Sequence, residues 1–262
     1  MDPALQTAAT GMKAQQTRVE VISNNLANVN TTGFKRSRAH FEDLLYQTVQ
    51  QPGTVDGSGA NTTQEIQVGR GTRLAAVQRV EMQGPIEETG RPLDFAIEGE
   101  GYFQVQMPGG ELAYTRDGSF TISDQGTLVT NGGYTVVPGI TFPNDSMDLS
   151  VSRTGVVTVR TPGSSAQVEV GRIELARFPN ATGLRAMGEN LYQETEASGS
   201  PQTGFAQENG YGRIIQGGLE GSNVEIVTEM VDMITAMRAY EINSKAVQSA
   251  EQMAETANQL IR

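Results

Sequence analysis

The sequence predicts an α+β protein in which a long helix at each end of the chain flanks a central antiparallel all-β body. Three observations support this fold class. Apolar side chains near the N-terminus repeat at intervals of three and four residues, and residues 222–262 contain no Gly or Pro. Between these ends, short strand-like runs alternate with turn dipeptides. We expect the two helices to pack as a coiled-coil-like pair.

The N-terminal helix is predicted from its opening residues and its apolar spacing. Asp2 can cap free amide groups, and Pro3 suits a first turn, where no amide hydrogen is needed. A glycine at position 33 favours a left-handed exit from the helix after residues 30–32. Eight residues follow the spacing of a heptad seam: Leu5, Ala8, Met12, Gln15, Val19, Ile22, Leu26 and Val29.

A connecting segment with a long loop is predicted at residues 33–70. Residues 34–47 are compatible with a short amphipathic helix or with an extended strap, and the sequence does not decide between them. Residues 51–64 are rich in Gly, Thr, Asn and Gln and nearly free of large apolar side chains, which is typical of a long loop. This loop is a candidate for a segment that orders only on binding.

Residues 71–221 are predicted to form a β-rich outer domain. The dipeptides Asp117-Gly118 and Asn131-Gly132 each lie between strand-like runs, so both are interpreted as hairpin turns. Residues 156–160 and 168–178 are two further predicted strands, and the second is expected to bulge near its glycine.

The C-terminal helix is predicted to begin at Ser222, because Ser222 and Glu225 match the S-x-x-E capping box. Residues 1–32 and 222–262 together form the predicted terminal helical domain. The first half of the C-terminal helix carries a broad apolar face, and the second half carries a narrower stripe displaced by roughly a quarter turn at about 100° per residue. At 1.5 Å per residue this helix would be about 60 Å long, roughly twice what a small domain covers.

The apolar surface of the two helices is therefore predicted to be a polymerisation interface. The alternative is that the helices pair only with each other, which would leave the methionines of the longer helix exposed. Association between subunits would bury them. The interface residues predicted from both helices are Leu5, Met12, Val19, Ile22, Leu26, Val29, Val227, Met230, Ile234, Met237, Ile242, Met253 and Leu260.

Composition restricts the classes of function. The chain has 262 residues, a formal net charge of -11 and no cysteine. This charge argues against nucleic-acid partners and against anionic membranes. The missing cysteines remove disulfides and thiolate metal sites. The sequence lacks an apolar run of membrane-spanning length and a basic-then-apolar N-terminus, so neither membrane insertion nor a cleaved signal peptide is expected.

Few residues support catalysis, and no catalytic residue, cofactor or metal is predicted. The single histidine, His40, has no G-x-S-x-G nucleophile elbow to accompany it. A β-sandwich enzyme acting on glycans remains the alternative from another class, and it would need two acids converging in a groove. Lys35, Arg36 and Arg38 form a small basic cluster, which we interpret as solvated or as ion-pairing between subunits because the chain is acidic.

Several motifs resemble the bacterial flagellar rod and hook family of axial proteins. Residues 23–36 resemble the N-terminal motif of that family, and residues 219–225 and 238–243 resemble its C-terminal end. Residues 94–103 and 114–120 are similar to its central pattern, so the resemblance spans nearly the whole chain. The residues that carry the N-terminal motif are Asn24, Asn25, Leu26, Ala27, Asn28, Thr32, Gly33 and Phe34.

This resemblance implies a non-enzymatic structural subunit that polymerises into a hollow helical tube. Chain length and residues 46–64 are most similar to the distal rod subunit of the family, and a proximal rod or hook protein is the alternative within it. The implied location is the rod of the flagellar basal body, in the periplasm and through the outer membrane, reached by export without a cleaved signal peptide.

The resemblance also implies the partners. These are further copies of the chain, proximal rod subunits, hook or hook-junction subunits, the surrounding basal-body rings and the flagellar type III export apparatus. We hypothesise that residues 46–64 bridge neighbouring subunits and stiffen the tube, because a segment that orders on assembly adds contacts without adding a domain.

Overall fold

The chain divides into two compact units. Unit 1 contains the described residues of Met1–Leu26, Ser37–Gln78 and Glu225–Arg262, and unit 2 contains those of Ala27–Arg36 and Arg79–Val224. Unit 1 therefore joins both chain ends to residues that the sequence analysis assigns to the connecting segment and to the start of the β-rich domain. The structure is a computed structural model, and it describes residues 3–50, 66–143, 148–161 and 167–260.

Unit 1 is built from two long helices and two strand pairs, as the α+β fold class predicts for the helices. The helices are α1, Pro3–Ala27, and α2, Ile226–Leu260. Strand β1 pairs with β4, and β2 pairs antiparallel with β3. The choice left open for residues 34–47 is settled in favour of extended structure. The strands are β1 Ser37–Asp43, β2 Tyr46–Gln50, β3 Ile66–Gly69 and β4 Thr72–Arg79.

The end of α1 comes before the last predicted seam residue. The helix ends at Ala27, so Val29 lies beyond it. The side chain of Asn28 accepts a hydrogen bond from the Thr31 hydroxyl at 3.1 Å, and the Thr31 amide donates to the Asn28 carbonyl at 3.1 Å. This local turn competes with a further turn of helix. The exit glycine, Gly33, has a φ of +67°, as predicted.

The predicted capping box at the start of α2 is wrong. The helix begins at Ile226, and the Ser222 hydroxyl accepts instead from the Val224 amide at 3.3 Å. The Glu225 carboxylate accepts from the Thr228 hydroxyl at 2.9 Å. Hydrogen bonds of Asn223 compete with an earlier start of the helix. The Asn223 side chain accepts from the Arg36 amide and donates to two backbone carbonyls of the β body. These bonds hold the segment extended until Glu225.

Unit 2 is the antiparallel β body that the sequence predicts, and nine of its strands form one sheet. The order in that sheet is β16-β17-β8-β7-β11-β10-β9, with β15 pairing with β7 and β18. Strands β12, β13 and β14 form a second sheet, and β6 pairs with β19 and β5 with β20. The described strands of unit 2 are β5 Ile86–Glu88, β6 Phe95–Glu98, β7 Tyr102–Gln106, β8 Leu112–Thr115, β9 Phe120–Ile122, β10 Leu128–Thr130, β11 Thr135–Val136, β12 Asp148–Val151, β13 Val156–Arg160, β14 Gln167–Arg172, β15 Glu174–Arg177, β16 Arg185–Gly188, β17 Leu191–Gln193, β18 Gln202–Phe205, β19 Arg213–Gln216 and β20 Gly218–Glu220.

Aromatic side chains form the centre of the β body. Phe103 on β7 meets Phe120 on β9 edge to face, with ring centroids 5.2 Å apart, and both are fully buried. A second buried cluster joins Tyr102, Tyr114 and Phe178. Large aromatic groups bury much apolar surface per residue, so these rings account for a stable body in a chain of modest apolar content.

The two predicted hairpin turns have opposite outcomes. The one at Asn131-Gly132 is confirmed, because β10 and β11 pair antiparallel around it, although the positive φ falls on Gly133. The one at Asp117-Gly118 is wrong, since β8 pairs with β7 and β17 while β9 pairs with β10. The Asp117 carboxylate accepts from the Ser119 amide at 3.0 Å, and Phe95 donates its amide to the Gly118 carbonyl at 3.0 Å. These bonds turn the chain beside β6 instead of back onto β8.

The remaining predicted strands are confirmed with one change. Strand β13 has the predicted bounds, whereas residues 168–178 form two strands, β14 and β15, in different sheets. The expected bulge lies at Gly171, where the pairing of β14 with β13 shifts between Val157 and Thr158. Interruption of the ladder lets the chain leave one sheet and enter the next.

Candidate assembly interface

The first half of α2 has an exposed apolar face. Six residues form it, and they define the α2 outer face: Ile226, Val227, Met230, Val231, Ile234 and Met237. Each is between 47% and 70% exposed. Their spacing of three and four residues aligns them along one side of the helix. A contiguous apolar stripe of this kind marks an interaction surface in a soluble protein.

The opposite side of α2 faces the interior of unit 1. Glu229, Ala236 and Ala250 are buried there, and Asn243 is half-buried. Residues seven apart lie on nearly the same side of a helix, and at about 100° per residue this side is roughly opposite the α2 outer face. The side of α2 that packs within unit 1 is therefore its small and polar side.

Three contacts show that α1 and α2 run antiparallel. The Asn25 amide nitrogen donates to the Glu229 carboxylate at 3.1 Å, and the Arg18 guanidinium pairs with the Asp232 carboxylate at 3.0 Å. Gly11 lies against Asn243, so that a β-carbon on Gly11 would be 3.0 Å from the Asn243 amide nitrogen. Residues closer to the N-terminus of α1 thus contact residues closer to the C-terminus of α2. Small residues at this contact permit a close approach of the two helices.

The contact line of α1 differs from the predicted heptad seam. Gly11, Arg18 and Asn25 lie about a quarter turn around the helix from the seam at about 100° per residue. Ile22 is buried, whereas the other seam residues of α1 are half-buried. They are Leu5, Ala8, Met12, Gln15, Val19 and Leu26. The predicted seam thus keeps surface available for a partner.

The C-terminal half of α2 presents the displaced stripe that the sequence predicts. Ile242 is 67% exposed and Met253 is 66% exposed. Both lie about a quarter turn from the α2 outer face. The side chain of Leu260, another predicted interface residue, lies outside the described residues, as does the predicted loop at residues 51–64.

The motif residue Asn25 joins three elements of unit 1. Its amide nitrogen donates to the Ser37 carbonyl at 2.8 Å as well as to Glu229, and its amide oxygen accepts from the Ser37 amide at 2.8 Å. The side chain is 1% exposed. Asparagine suits this position because its amide donates and accepts at once. It fixes the first residue of β1 and the first turn of α2 against the last turns of α1.

The motif residues Gly33 and Phe34 belong to unit 2, where they meet the C-terminal motif. Gly33 donates its amide to the Glu220 carbonyl at 2.7 Å, and Phe34 accepts from the Asn223 amide at 3.4 Å. A β-carbon on Gly33 would lie 2.8 Å from the backbone of Arg116, so only glycine fits. The two motifs, far apart in sequence, are neighbours in this unit.

A buried charge cluster lies beside these contacts. The Lys35 ammonium pairs with the Glu220 carboxylate at 2.6 Å, and the Arg116 guanidinium pairs with the second oxygen of Glu220 at 3.3 Å. Lys35 also donates to the Met82 carbonyl at 2.8 Å. Burial lowers the pKa of the Lys35 ammonium below its usual range, although the neighbouring Glu220 favours the charged form. The carboxylate offsets the cost of burying two cations.

The interpretation of the basic cluster as solvated is wrong for Lys35, whose side chain is 1% exposed. Sequence reasoning also missed Glu220 and Arg116. No hydrophobic periodicity distinguishes a buried charge from a surface charge. The burial of these charges could have been suspected only from their sequence neighbours. Lys35 follows Phe34, and Glu220 lies between Leu219 and Gly221, and both positions belong to motif segments.

Two features are absent from the part of the chain that the structure describes. No group of three or more His, Cys, Asp or Glu side chains in that part of the chain is arranged to hold a metal ion. No helix there is long and apolar enough to cross a membrane.

Three family models match the chain in order. Residues 5–35 match "Flagella basal body rod protein", residues 96–159 match "Flagellar hook protein FlgE/F/G D1 domain", and residues 215–260 match "Flagellar basal body rod FlgEFG protein C-terminal". The first contains nearly all of α1 and most of the N-terminal motif. The third contains β20, the C-terminal motif and α2.

Curated relatives match over nearly their whole length. The flagellar basal-body rod protein FlgG of Buchnera aphidicola subsp. Baizongia pistaciae is 51% identical, over 97% of this chain and 97% of its own. FlgG of Caulobacter vibrioides is 48% identical, over 98% of each chain. The flagellar basal-body rod protein FlgF of that bacterium is 35% identical, over 98% of this chain and 97% of its own.

Proposed function

Because the chain belongs to the family of flagellar basal-body rod proteins, we propose that it is a structural subunit of the distal rod. In this role copies of the chain polymerise into the hollow tube that carries torque from the motor to the hook. The distal subtype is supported by identity, which for Caulobacter vibrioides is 48% with FlgG and 35% with FlgF. The role is one of assembly and not of enzymatic catalysis.

The α2 outer face is the single observation that carries the polymerisation step. An apolar side chain moved out of water contributes about 25 cal/mol per Å² of buried area. Unit 1 leaves six such side chains in solvent while it buries the polar opposite side of the same helix. This arrangement disfavours an isolated subunit and favours a partner. We assign that partner to a second copy of the chain, because a rod is built from repeated subunits.

The half-buried residues of the predicted seam on α1 complete the proposed interface. Leu5, Met12, Val19 and Leu26 offer a second apolar line on unit 1. A helical polymer needs two different surfaces that fit each other, so that each copy leaves one surface free for the next. The α2 outer face and the α1 seam provide two such surfaces.

The location and further partners of the subunit follow from the proposed role. The tube lies in the basal body, crosses the periplasm and passes the outer membrane inside the surrounding rings. It meets proximal rod subunits at one end and hook or hook-junction subunits at the other. The chain reaches this place through the flagellar type III export apparatus. Residues 46–64 bridge neighbouring copies.

The proposal is tested with the double variant Val227→Asp, Ile234→Asp. Each new carboxylate lies on the α2 outer face, where burial of an unpaired charge costs several kcal/mol, on the order of 3 or more. We expect the variant to keep the circular dichroism and thermal unfolding of the wild-type monomer. We also expect filament formation, followed by sedimentation and electron microscopy, to need at least about a hundredfold higher protein concentration.

The matched control is Thr235→Asp. Thr235 is exposed on the same helix but lies outside the α2 outer face, so the control adds one charge of the same sign to the same element. It should polymerise as the wild type does. Filaments from the double variant at wild-type concentrations would exclude the α2 outer face as the interface.

A further inference from the structure

Two methionines occupy the middle and the end of the α2 outer face. Met230 is 51% exposed and Met237 is 53% exposed. They are seven residues apart, so both thioethers lie on one side of the helix. The neighbours of Met230 on that side are Ile226, Val227, Val231 and Ile234, which carry no polar side-chain atom. Met237 contrasts with it, because Arg238 and Tyr240 follow it on the helix. In a single copy, both sulfur atoms are thus within reach of small dissolved oxidants.

We propose that Met230 and Met237 are sites of oxidative modification in the unassembled chain, and that their sulfoxides prevent assembly. This inference rests on the proposed function. The oxidant class is a peroxide. The methionine sulfur attacks one oxygen of the peroxide and forms a sulfur–oxygen bond while the O–O bond breaks. Hydrogen peroxide leaves as water, and the thioether is oxidised to the sulfoxide.

The position of these sulfurs explains why the modification acts on assembly. A sulfoxide oxygen is a strong hydrogen-bond acceptor, whereas the original thioether is nearly apolar. Water satisfies this oxygen in the free subunit. When a second copy covers the α2 outer face, the side chains around Met230 offer no donor, so a sulfoxide oxygen there loses its hydrogen bonds. Oxidation therefore makes the free energy of assembly less favourable and leaves the stability of the monomer unchanged.

Other methionines provide matched comparisons for the same chemistry. Met82 is 69% exposed and Met187 is 44% exposed, and both belong to unit 2. Their thioethers are as reachable as those on α2, but they lie outside the α2 outer face. Oxidation at Met82 and Met187 is therefore expected to leave assembly unchanged.

The experiment treats the full-length monomer with hydrogen peroxide, removes the peroxide and measures the filament fraction by sedimentation. Peptide mass spectrometry quantifies the sulfoxide at each methionine. Two double variants are compared with the wild type, Met230→Leu with Met237→Leu, and Met82→Leu with Met187→Leu. Every chain in this comparison, the one called wild type included, also carries Met12→Leu and Met253→Leu, because those two methionines belong to the predicted interface as well. Leucine keeps the apolar volume and cannot be oxidised. A methionine sulfoxide reductase treatment then tests whether reduction restores assembly.

We expect treated wild-type protein to need at least about tenfold more protein for assembly, a change equivalent to about 1.4 kcal/mol. The Met82 and Met187 variant should lose assembly equally, and the Met230 and Met237 variant should keep it. In preformed filaments, oxidation of Met230 and Met237 should be slowed at least about tenfold while that of Met82 is not.

Two results separate failure of this inference from failure of the proposed function. If untreated wild-type protein forms filaments and oxidised protein forms them equally well, the inference is wrong and the proposed function stands. If the Met230 and Met237 variant assembles when untreated but loses assembly on oxidation as the wild type does, the inference is also wrong. If untreated wild-type protein never polymerises, both fail. Single variants Met230→Leu and Met237→Leu replace the double variant should it not fold.

Discussion

Glu220 is enclosed by donors from three separate parts of the chain. Its carboxylate accepts from Lys35, Arg116 and the Gly84 amide, and its carbonyl accepts from the Gly33 amide. The side chain is fully buried. A single carboxylate therefore pairs with two buried cations and holds two family motifs together. Breaking such a pair from one side is costly, because it leaves charge in a low-dielectric interior.

At the residue scale, we predict that Glu220→Gln destabilises the protein by about 3 kcal/mol. Glutamine keeps the size of the side chain but removes its charge, so Lys35 and Arg116 lose their counterion. The measurement is chemical denaturation of the monomer, followed by tyrosine fluorescence. Glu88→Gln on β5 is the control, since Glu88 is exposed and the same neutralisation there should change the free energy of unfolding by less than about 0.5 kcal/mol. Equal effects of the two changes would contradict the assigned role of Glu220.

Individual residues were predictable from the sequence where the backbone conformation of the position itself restricts the residue type. Gly33 was expected to leave the helix with a left-handed conformation, and its φ is +67°. Lys35 was misinterpreted because its burial depends on Glu220, which is 185 residues away. The net charge of -11 is a property of the whole chain and carries no information about one buried pair.

At the scale of elements, Asn25 is the junction of unit 1. It connects the last turns of α1 to the first residue of β1 and to the first turn of α2 through three hydrogen bonds. Because the Asn25 side chain is buried, its loss leaves the backbone groups of Ser37 without these two hydrogen bonds at that point. The packing of the two helices thus depends on one amide as well as on apolar contacts.

We predict that Asn25→Ala lowers the stability of unit 1 by about 2 to 3 kcal/mol. The expected readout is faster amide hydrogen exchange in β1 and in the first turns of α2, with β7 and β8 of unit 2 unchanged. The nearby change Ser23→Ala serves as the control, because Ser23 is exposed on the same helix. The assignment of Asn25 as the junction fails if both variants exchange alike.

The helices were predictable because their signal is contained in their own residues. A spacing of three and four identified α1, and the absence of Gly and Pro identified α2. The capping box at Ser222 and the hairpin at Asp117 are also local patterns, but each failed. In both cases backbone or side-chain groups found partners in distant segments, at Asn223 and at Phe95. Tertiary hydrogen bonds outweigh a local motif of about 1 kcal/mol.

The candidate interface was predictable only in part. The exposure of Val227, Met230, Ile234 and Met237 agrees with the expected unpartnered face. The line of α1 that meets α2 was not foreseen, because Gly11, Arg18 and Asn25 carry no apolar pattern. Small and polar residues specify this contact through close approach and hydrogen bonding, and a search for hydrophobic periodicity does not detect it.

At the scale of the whole molecule, the two units differ in how much they bury. Unit 2 encloses a core of aromatic and aliphatic side chains. In α2, Glu229, Ala236 and Ala250 are the buried residues among the side chains that the structure describes. A long helix with so little buried surface gains little stability from tertiary packing. Its order in the monomer is consequently expected to be weaker than that of the β body.

We predict that hydrogen exchange in the monomer is fastest in α2 and slowest in β7 and β8. On polymerisation, exchange in residues 226–242 should slow at least about tenfold, because a second copy covers the α2 outer face. Mass spectrometry of monomer and filament under matched conditions makes the comparison. Strands β7 and β8 are the internal reference, since their protection should not change. Full protection of α2 already in the monomer would contradict the assembly model.

The buried contact between Lys35 and Glu220 also determines how late in folding the β body can close. Strand pairs β5–β20 and β6–β19 likewise join the beginning of the β body to its end. Contacts of such sequence separation form only after the intervening chain has been brought together. If the proposed export delivers the chain N-terminus first, Lys35 and Arg116 lack the Glu220 carboxylate until residue 220 emerges. The contacts that close the body through Glu220, β19 and β20 then form only when nearly all of the chain has been delivered.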